Sequence, residues 1–114
     1  GVEGDSASVA VATTIISALK DLKIKQDLAM TGSLSVRGRI LPVGGVSSKV
    51  EAAIDAGLKK VIVPEANMQD IVLDEEDMKK IEIVPVKYLY EVLDHAIDWR
   101  GKHKVRKMIM PEDK

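Results

Sequence analysis

The stretch "VSSKVEAAIDAGLKKVIVP", residues 46–64, decides the fold. Its first part reads as a helix, with Ser47 or Ser48 near the cap and Gly57 where the helix must stop. "KKVIVP", residues 59–64, is a β-branched run closed by proline, the pattern of a buried strand. Downstream, "IEIVPV" at 81–86 is a second strand of the same kind. Residues 65–80 lie between them and read as a short helical turn followed by an acidic loop, "DEED" at 74–77. "YLYEVLDHAIDW", residues 88–99, is an amphipathic helix with Leu89, Val92, Leu93, Ala96 and Ile97 inward. The order helix, strand, short helix, strand, helix predicts an α/β arrangement in which 60–63 and 81–86 pair in parallel.

Working outward to the other side, Gly44–Gly45 breaks the chain, and "LAMTGSLSVRGRILPV", residues 28–43, reads as extended. Gly32 and Gly38 predict a bulge and a turn there, hence a hairpin or two short strands, which adds α+β character to this half. "SASVAVATTIISALKDLK", residues 6–23, reads as a helix capped by Ser6 or Asp5. Val9, Ala12, Ile16 and Leu19 form one apolar stripe, and Val11, Ile15, Ala18 and Leu22 form another. A helix apolar on nearly every side is expected to be buried. From Arg100 the chain is basic and reads as a tail, mobile toward its end. No internal repeat or low-complexity linker interrupts the rest.

Composition narrows the function classes. A chain of 114 residues forms at most one small domain with a modest core. A net charge of −1 gives no global argument for nucleic acid or an anionic membrane. There is no cysteine, which excludes disulfides, thiolate metal sites and cysteine nucleophiles and fits a reducing compartment. Phenylalanine is absent and aromatic residues are 3%, so the core must be built from Val, Ile, Leu, Ala and Met, and base-stacking platforms are not expected. No apolar stretch approaches the roughly 20 residues that span a bilayer, and no signal peptide is read.

Only two histidines could serve a serine triad or a metal, His95 in the last helix and His103 in the basic run. Ordinary surface or half-buried placement accounts for both. "VGGVSSK", residues 43–49, has the flavour of a phosphate loop but fails the pattern, because no glycine precedes Lys49 and Val50 follows it. Serine with lysine remains. A lysine acts as general base only when neutral, so its pKa must fall from about 10.4 toward neutrality. Burial and the positive end of a helix both lower it. Lys49 lies in or near the first turn of a helix and is followed by Val50, Ala52, Ala53 and Ile54, which predicts a dry, apolar niche for its amine. Ser6 is placed at the head of the first helix, where backbone N–H groups stabilise an oxyanion. Gly4 lets a substrate approach the chain. A serine ahead of a helix is more often a cap, and a lysine in a helix more often a solvated charge.

The residues "EGDSAS" (3–8), the alanine- and valine-rich helix after them, and "MTGSLSVRGRILPVGGVSSKVEAAIDAGLKKVIVP" (30–64) together closely resemble the proteolytic domain of the Lon family of ATP-dependent proteases. Glu-Gly-Asp before the serine resembles the archaeal branch. The resemblance covers Gly1 to Trp99, and it leaves 100–114 as a basic C-terminal tail. It implies the family's fold, a small sheet with helices packed on it, of the type named for the second domain of a small-subunit ribosomal protein. In the family, several strands precede the nucleophile, so 1–99 corresponds to the later part of that domain.

The resemblance also implies a Ser–Lys dyad, with Ser6 as nucleophile and Lys49 as base. Thr31 matches a threonine whose hydroxyl helps hold the lysine amine. Glu3 and Asp5 match acidic positions that can approach the lysine in a resting arrangement. No metal and no cofactor are expected in this domain; ATP and magnesium belong to the ATPase module of the parent chain. Implied partners are unfolded or damaged polypeptides, that ATPase module, and further copies in a six-membered ring, in the cytoplasm, with a parent chain that can be membrane-anchored. The alternative is a non-peptidase, ring-forming scaffold of Lon type, a class that usually lacks the serine or the lysine. Nucleic-acid binding through "RGKHKVRK", residues 100–107, is not expected.

Overall fold

The computed structural model describes residues 7–111. Its centre is a parallel sheet of β3 (Leu28–Met30), β6 (Lys60–Pro64) and β7 (Glu82–Val86), in the order β3-β6-β7. The register pairs Ala29 with Val61 and Val61 with Ile83, so the parallel pairing expected of the two β-branched runs is present. Successive side chains of a strand point to opposite faces, and β6 uses both. Ile62 packs with Val9, Ile40, Val84, Val86, Val92 and Ala96. Val61 and Val63 pack with Val46, Val50, Ala53 and Ile81 on the other side. A strand covered on both faces needs a continuous apolar run, which is what "KVIVP" supplies. Each of these fully buried aliphatic side chains stabilises the fold by about 1.5–3 kcal/mol relative to an exposed one.

Helices cover the two faces. α2 (Val46–Asp55) lies on the Val61 face; α1 (Val9–Leu19) and α4 (Leu89–Ala96) lie on the Ile62 face. A second, antiparallel sheet of β1 (Ala7–Ser8), β4 (Ser33–Leu34) and β5 (Ile40–Leu41) has the order β1-β4-β5. β4 and β5 are the expected hairpin, closed by a turn in which Gly38 N donates to Ser35 O at 3.0 Å. Gly32 is not a bulge. It is the point where the chain leaves the parallel sheet for the antiparallel one.

Other expectations shift. α1 begins at Val9, not at residue 6, and the hydroxyl that accepts from Val11 N at 3.4 Å is that of Ser8, not Ser6. Nor is α1 buried all round: Val9 and Thr13 are, whereas Val11, Ile15 and Leu19 are 55%, 52% and 77% exposed. The sheet and α4 occupy one side of this helix, and no described element covers the other. "DEED" is a helix start rather than a loop. Asp74 Oδ1 accepts from Asp77 N at 2.8 Å and caps α3 (Glu75–Lys80), whose acids lie in the first turn and lysines in the last, as the helix dipole favours. The helix expected over 88–99 ends at Ala96. Ile97–Asp98 is extended as β8 and pairs antiparallel with β2 (Lys23–Ile24), an interaction continued by Lys25 N donating to Ala96 O at 2.8 Å.

The basic segment after Trp99 forms α5 (His103–Ile109). Its Val105 and Ile109, with Met110, pack on Leu22, Leu93 and Ile97, and Arg106 Nη2 donates to Asp94 Oδ1 at 2.7 Å. No helix among the described residues is long and apolar enough to cross a membrane.

Candidate active site

Lys49 is the fourth residue of α2, and its N–H closes the first helical turn by donating to Gly45 O at 3.2 Å. The cap is Gly45 at φ +69°, a left-handed conformation that glycine adopts without a Cβ penalty. Neither Ser47 nor Ser48 caps, contrary to the sequence expectation. Ser47 Oγ turns instead to the segment after β6, donating to Asp70 O at 3.0 Å and accepting from Val72 N at 2.9 Å.

Val46, Val50 and Ala53 form the buried stripe of α2. Lys49 flanks that stripe and is exposed at its rim. The dry niche expected around its amine is therefore not formed by the described residues, because the apolar neighbours in sequence turn into the core beneath it.

Lys49 faces a cavity of about 390 Å³. Ser8, Thr31, Gly32 and Ser33 line it with Lys49, and Met30, Val43 and Val61 supply apolar wall. Thr31 continues β3, its N–H donating to Ile62 O at 3.0 Å, and it is 9% exposed. Three separate elements thus converge: the end of β1, the β3–β4 junction and the first turn of α2. Sequence reasoning placed Lys49 and Thr31 here; Ser8, Val43 and Met30 were not singled out. Glu3, Gly4, Asp5 and Ser6 lie outside the described residues.

Neither His95, half-buried on α4, nor His103 lines this cavity. His103 borders a larger, shallower cavity of about 1010 Å³ beside Lys23, Lys25 and Trp99, on the β2–β8 side of the molecule. The smaller cavity is the candidate site, because it is the one where the serine-, threonine- and lysine-bearing elements meet. No cluster of three or more potential metal-ligating side chains is found among the described residues.

Residues 2–99 match the family described as "Lon protease (S16) C-terminal proteolytic domain". The chain belongs to this Lon family. Among its curated relatives, the archaeal Lon protease of Pyrococcus abyssi is 61% identical over 104 residues, covering 91% of this chain and 10% of that protein. The archaeal Lon protease of Archaeoglobus fulgidus is 56% identical over 108 residues, covering 95% and 17%. A bacterial Lon protease, from Azorhizobium caulinodans, is 46% identical over 96 residues, covering 83% and 11%. The higher identity to the archaeal proteins accords with the Glu-Gly-Asp-Ser form of residues 3–6. The chain spans 10–17% of the length of these relatives. The α/β layering described above is accordingly that of a Lon proteolytic domain.

One residue that helps shape this Lon-type cavity escaped the sequence reading altogether. Asn67, 1% exposed in the 3-10 turn Glu65–Asp70, pairs with both polar groups of the Val43 backbone. No local pattern announces a partnership 24 residues long. The sequence signal is slight: an amide side chain three residues after the proline that ends a buried strand.

Proposed function

We propose that this chain is the peptidase domain of an ATP-dependent Lon protease and that it cleaves unfolded polypeptides with a Ser6–Lys49 dyad. The observation that carries the reading is the shared cavity: Lys49 and Thr31 line it together with Ser8, two residues after Ser6, in a chain of the Lon family. Lys49 acts as general base, its amine taking the proton of the Ser6 hydroxyl as Ser6 Oγ attacks a peptide carbonyl. The tetrahedral oxyanion is held by backbone N–H groups near Ser6, and the Lys49 ammonium returns the proton to the leaving amine. Water then hydrolyses the acyl-enzyme by the same route, with Lys49 again as base. The Thr31 hydroxyl orients the amine. Glu3 and Asp5 supply carboxylates that can pair with the protonated amine in a resting form and hold the site off.

Unfolding and delivery of substrate, with ATP and magnesium, are functions of the ATPase module in the parent chain. A six-membered ring of such chains in the cytoplasm encloses the sites, so access rather than side-chain choice selects unfolded substrates. Peptide hydrolysis by the full-length protease tests the dyad. Ser6→Ala and Lys49→Arg are expected to abolish cleavage with thermal stability retained, and Ser6→Ala to lose labelling by a fluorophosphonate. Cleavage by Ser6→Ala at the native rate overturns the assignment.

A further inference from the structure

Gly45 brings no side chain to the N-terminus of α2, and the first turn contains no acidic residue, so the helix start has no side-chain cap of its own beside the packing of Val46. The fixing groups come from the segment that follows β6. Asn67 Oδ1 accepts from Val43 N at 2.9 Å, and Asn67 Nδ2 donates to Val43 O at 2.9 Å. This closes a two-bond ring on the N–H and C=O of one residue, as a neighbouring strand would. Nδ2 also donates to Asp70 Oδ2 at 3.0 Å, which leaves the amide no freedom to flip, since exchanging its O and N would set the oxygen against two acceptors. Four residues beyond Val43, Ser47 Oγ bridges Asp70 O and Val72 N. The chain from Val43 to Ser47 is thereby clasped at both ends, and Lys49 follows within the same helical turn.

From this arrangement we infer that Asn67 is a positioning residue for the Lys49 amine, acting through Val43 and the Gly44–Gly45 link, with Ser47 as the second clamp. This rests on the proposed role of Lys49. A buried, fully satisfied amide network is rigid, and loss of one member leaves its partners unsatisfied, so the effect is concentrated in this loop. Two glycines in succession are the most pliable part of the route, and without the ring on Val43 they transmit slack directly to α2. Misplacement of a catalytic group by about 1 Å costs on the order of 100-fold in rate.

The test uses the full-length protease. Asn67→Ala is expected to lower kcat for peptide hydrolysis by about 10- to 100-fold with KM nearly unchanged, and to accelerate hydrogen exchange at the amides of residues 43–49 while those of β7 and α4 keep their protection. Asn67→Asp keeps the acceptor for Val43 N but sets a second oxygen against the Val43 carbonyl and the Asp70 carboxylate, and is expected to lose at least as much as Asn67→Ala. Val92→Ala, a fully buried residue in the opposite core cluster, controls for general destabilisation and is expected to keep its native kcat at temperatures where it is folded. Unchanged exchange at 43–49 in Asn67→Ala overturns the inference, as does a kcat no lower than that of Val92→Ala. Lys49→Met is assayed beside them: if it is fully active, the dyad reading fails on its own, and the exchange at 43–49 decides whether Asn67 holds this turn.

Discussion

Gly32→Ala is the substitution in which fold and site are most tightly joined. A Cβ at position 32 would lie 3.0 Å from Ile40 Cγ2, 3.2 Å from Pro64 Cγ and 3.3 Å from Val9 Cγ2, and φ is +135°. The contacts come from three separate elements and from buried residues, so more than one neighbour must give way. Overpacking of this kind costs about 1–3 kcal/mol. The backbone conformation adds about 1–3 kcal/mol for any L-residue. The sum is about 2–6 kcal/mol, a large part of the stability of a domain of this size. Gly45→Ala separates the two contributions, because Gly45 has φ +69° and no atom within 4 Å of a built Cβ. It is expected to cost only the backbone share. Urea unfolding of both variants, followed by circular dichroism, gives the comparison, and Gly32→Ala is expected to be the less stable by at least 1 kcal/mol. Equal losses in the two variants would refute the close approach of Ile40, Pro64 and Val9 at this junction.

Two further outcomes follow from the packing and the charges. Ile62→Ala, in the fully buried centre of β6, is expected to lose about 2–5 kcal/mol, whereas Leu19→Ala, on the open face of α1, is expected to change the stability of the single chain by less than about 0.5 kcal/mol; a Leu19 loss equal to that of Ile62 in thermal unfolding would mean that this face is covered. Hydrogen bonds from the Arg100 side chain, and then from its backbone N–H, lower the Asp98 carboxyl from 3.8 to about 2. The folded value lies below the unfolded one, so the stabilisation is complete above about pH 4 and fades as pH falls toward 2; in Arg100→Met, which keeps the backbone N–H, a carboxyl titration by NMR is expected to move only part of the way back toward the ordinary range, and an unmoved midpoint would remove the Arg100 side chain as a cause.

The parts legible in the sequence were those where one physical demand dominates. β6 and β7 are buried between layers, and only a continuous β-branched run satisfies that, so both strands and their parallel pairing could be read directly. α1 was legible as a helix but not in its burial, because apolar residues at 11, 15 and 19 look the same whether or not another surface lies against them. "DEED" was ambiguous because acids favour both loops and helix N-termini, and Asp74 resolves the choice only through its bond to Asp77 N. β8 is two residues long, and its extension depends on β2, more than 70 residues away in the chain. At the site, Lys49 and Thr31 were legible from the run between residues 30 and 64. The exposure of Lys49 was not, because it follows from which side of α2 meets Val61 and Val63.

The position of the candidate cavity has a physical logic. Gly32 joins two sheets of different sense, and Val9, Ile40 and Pro64 close on it from α1, β5 and β6. Thr31 and Ser33 flank that crowded residue and line the same cavity, so both are set on a closely packed junction. Lys49 reaches the same cavity from an α2 start that lacks a side-chain cap and is held from outside by Asn67 and Ser47. One wall is therefore rigid through packing and the other through hydrogen bonds. Catalytic groups need geometry kept to within about 0.5 Å, which is best met by side chains set on such supported elements. The two supports also fail differently: a larger residue at position 32 disturbs the whole fold, whereas loss of the amide at position 67 disturbs the lysine-bearing turn first.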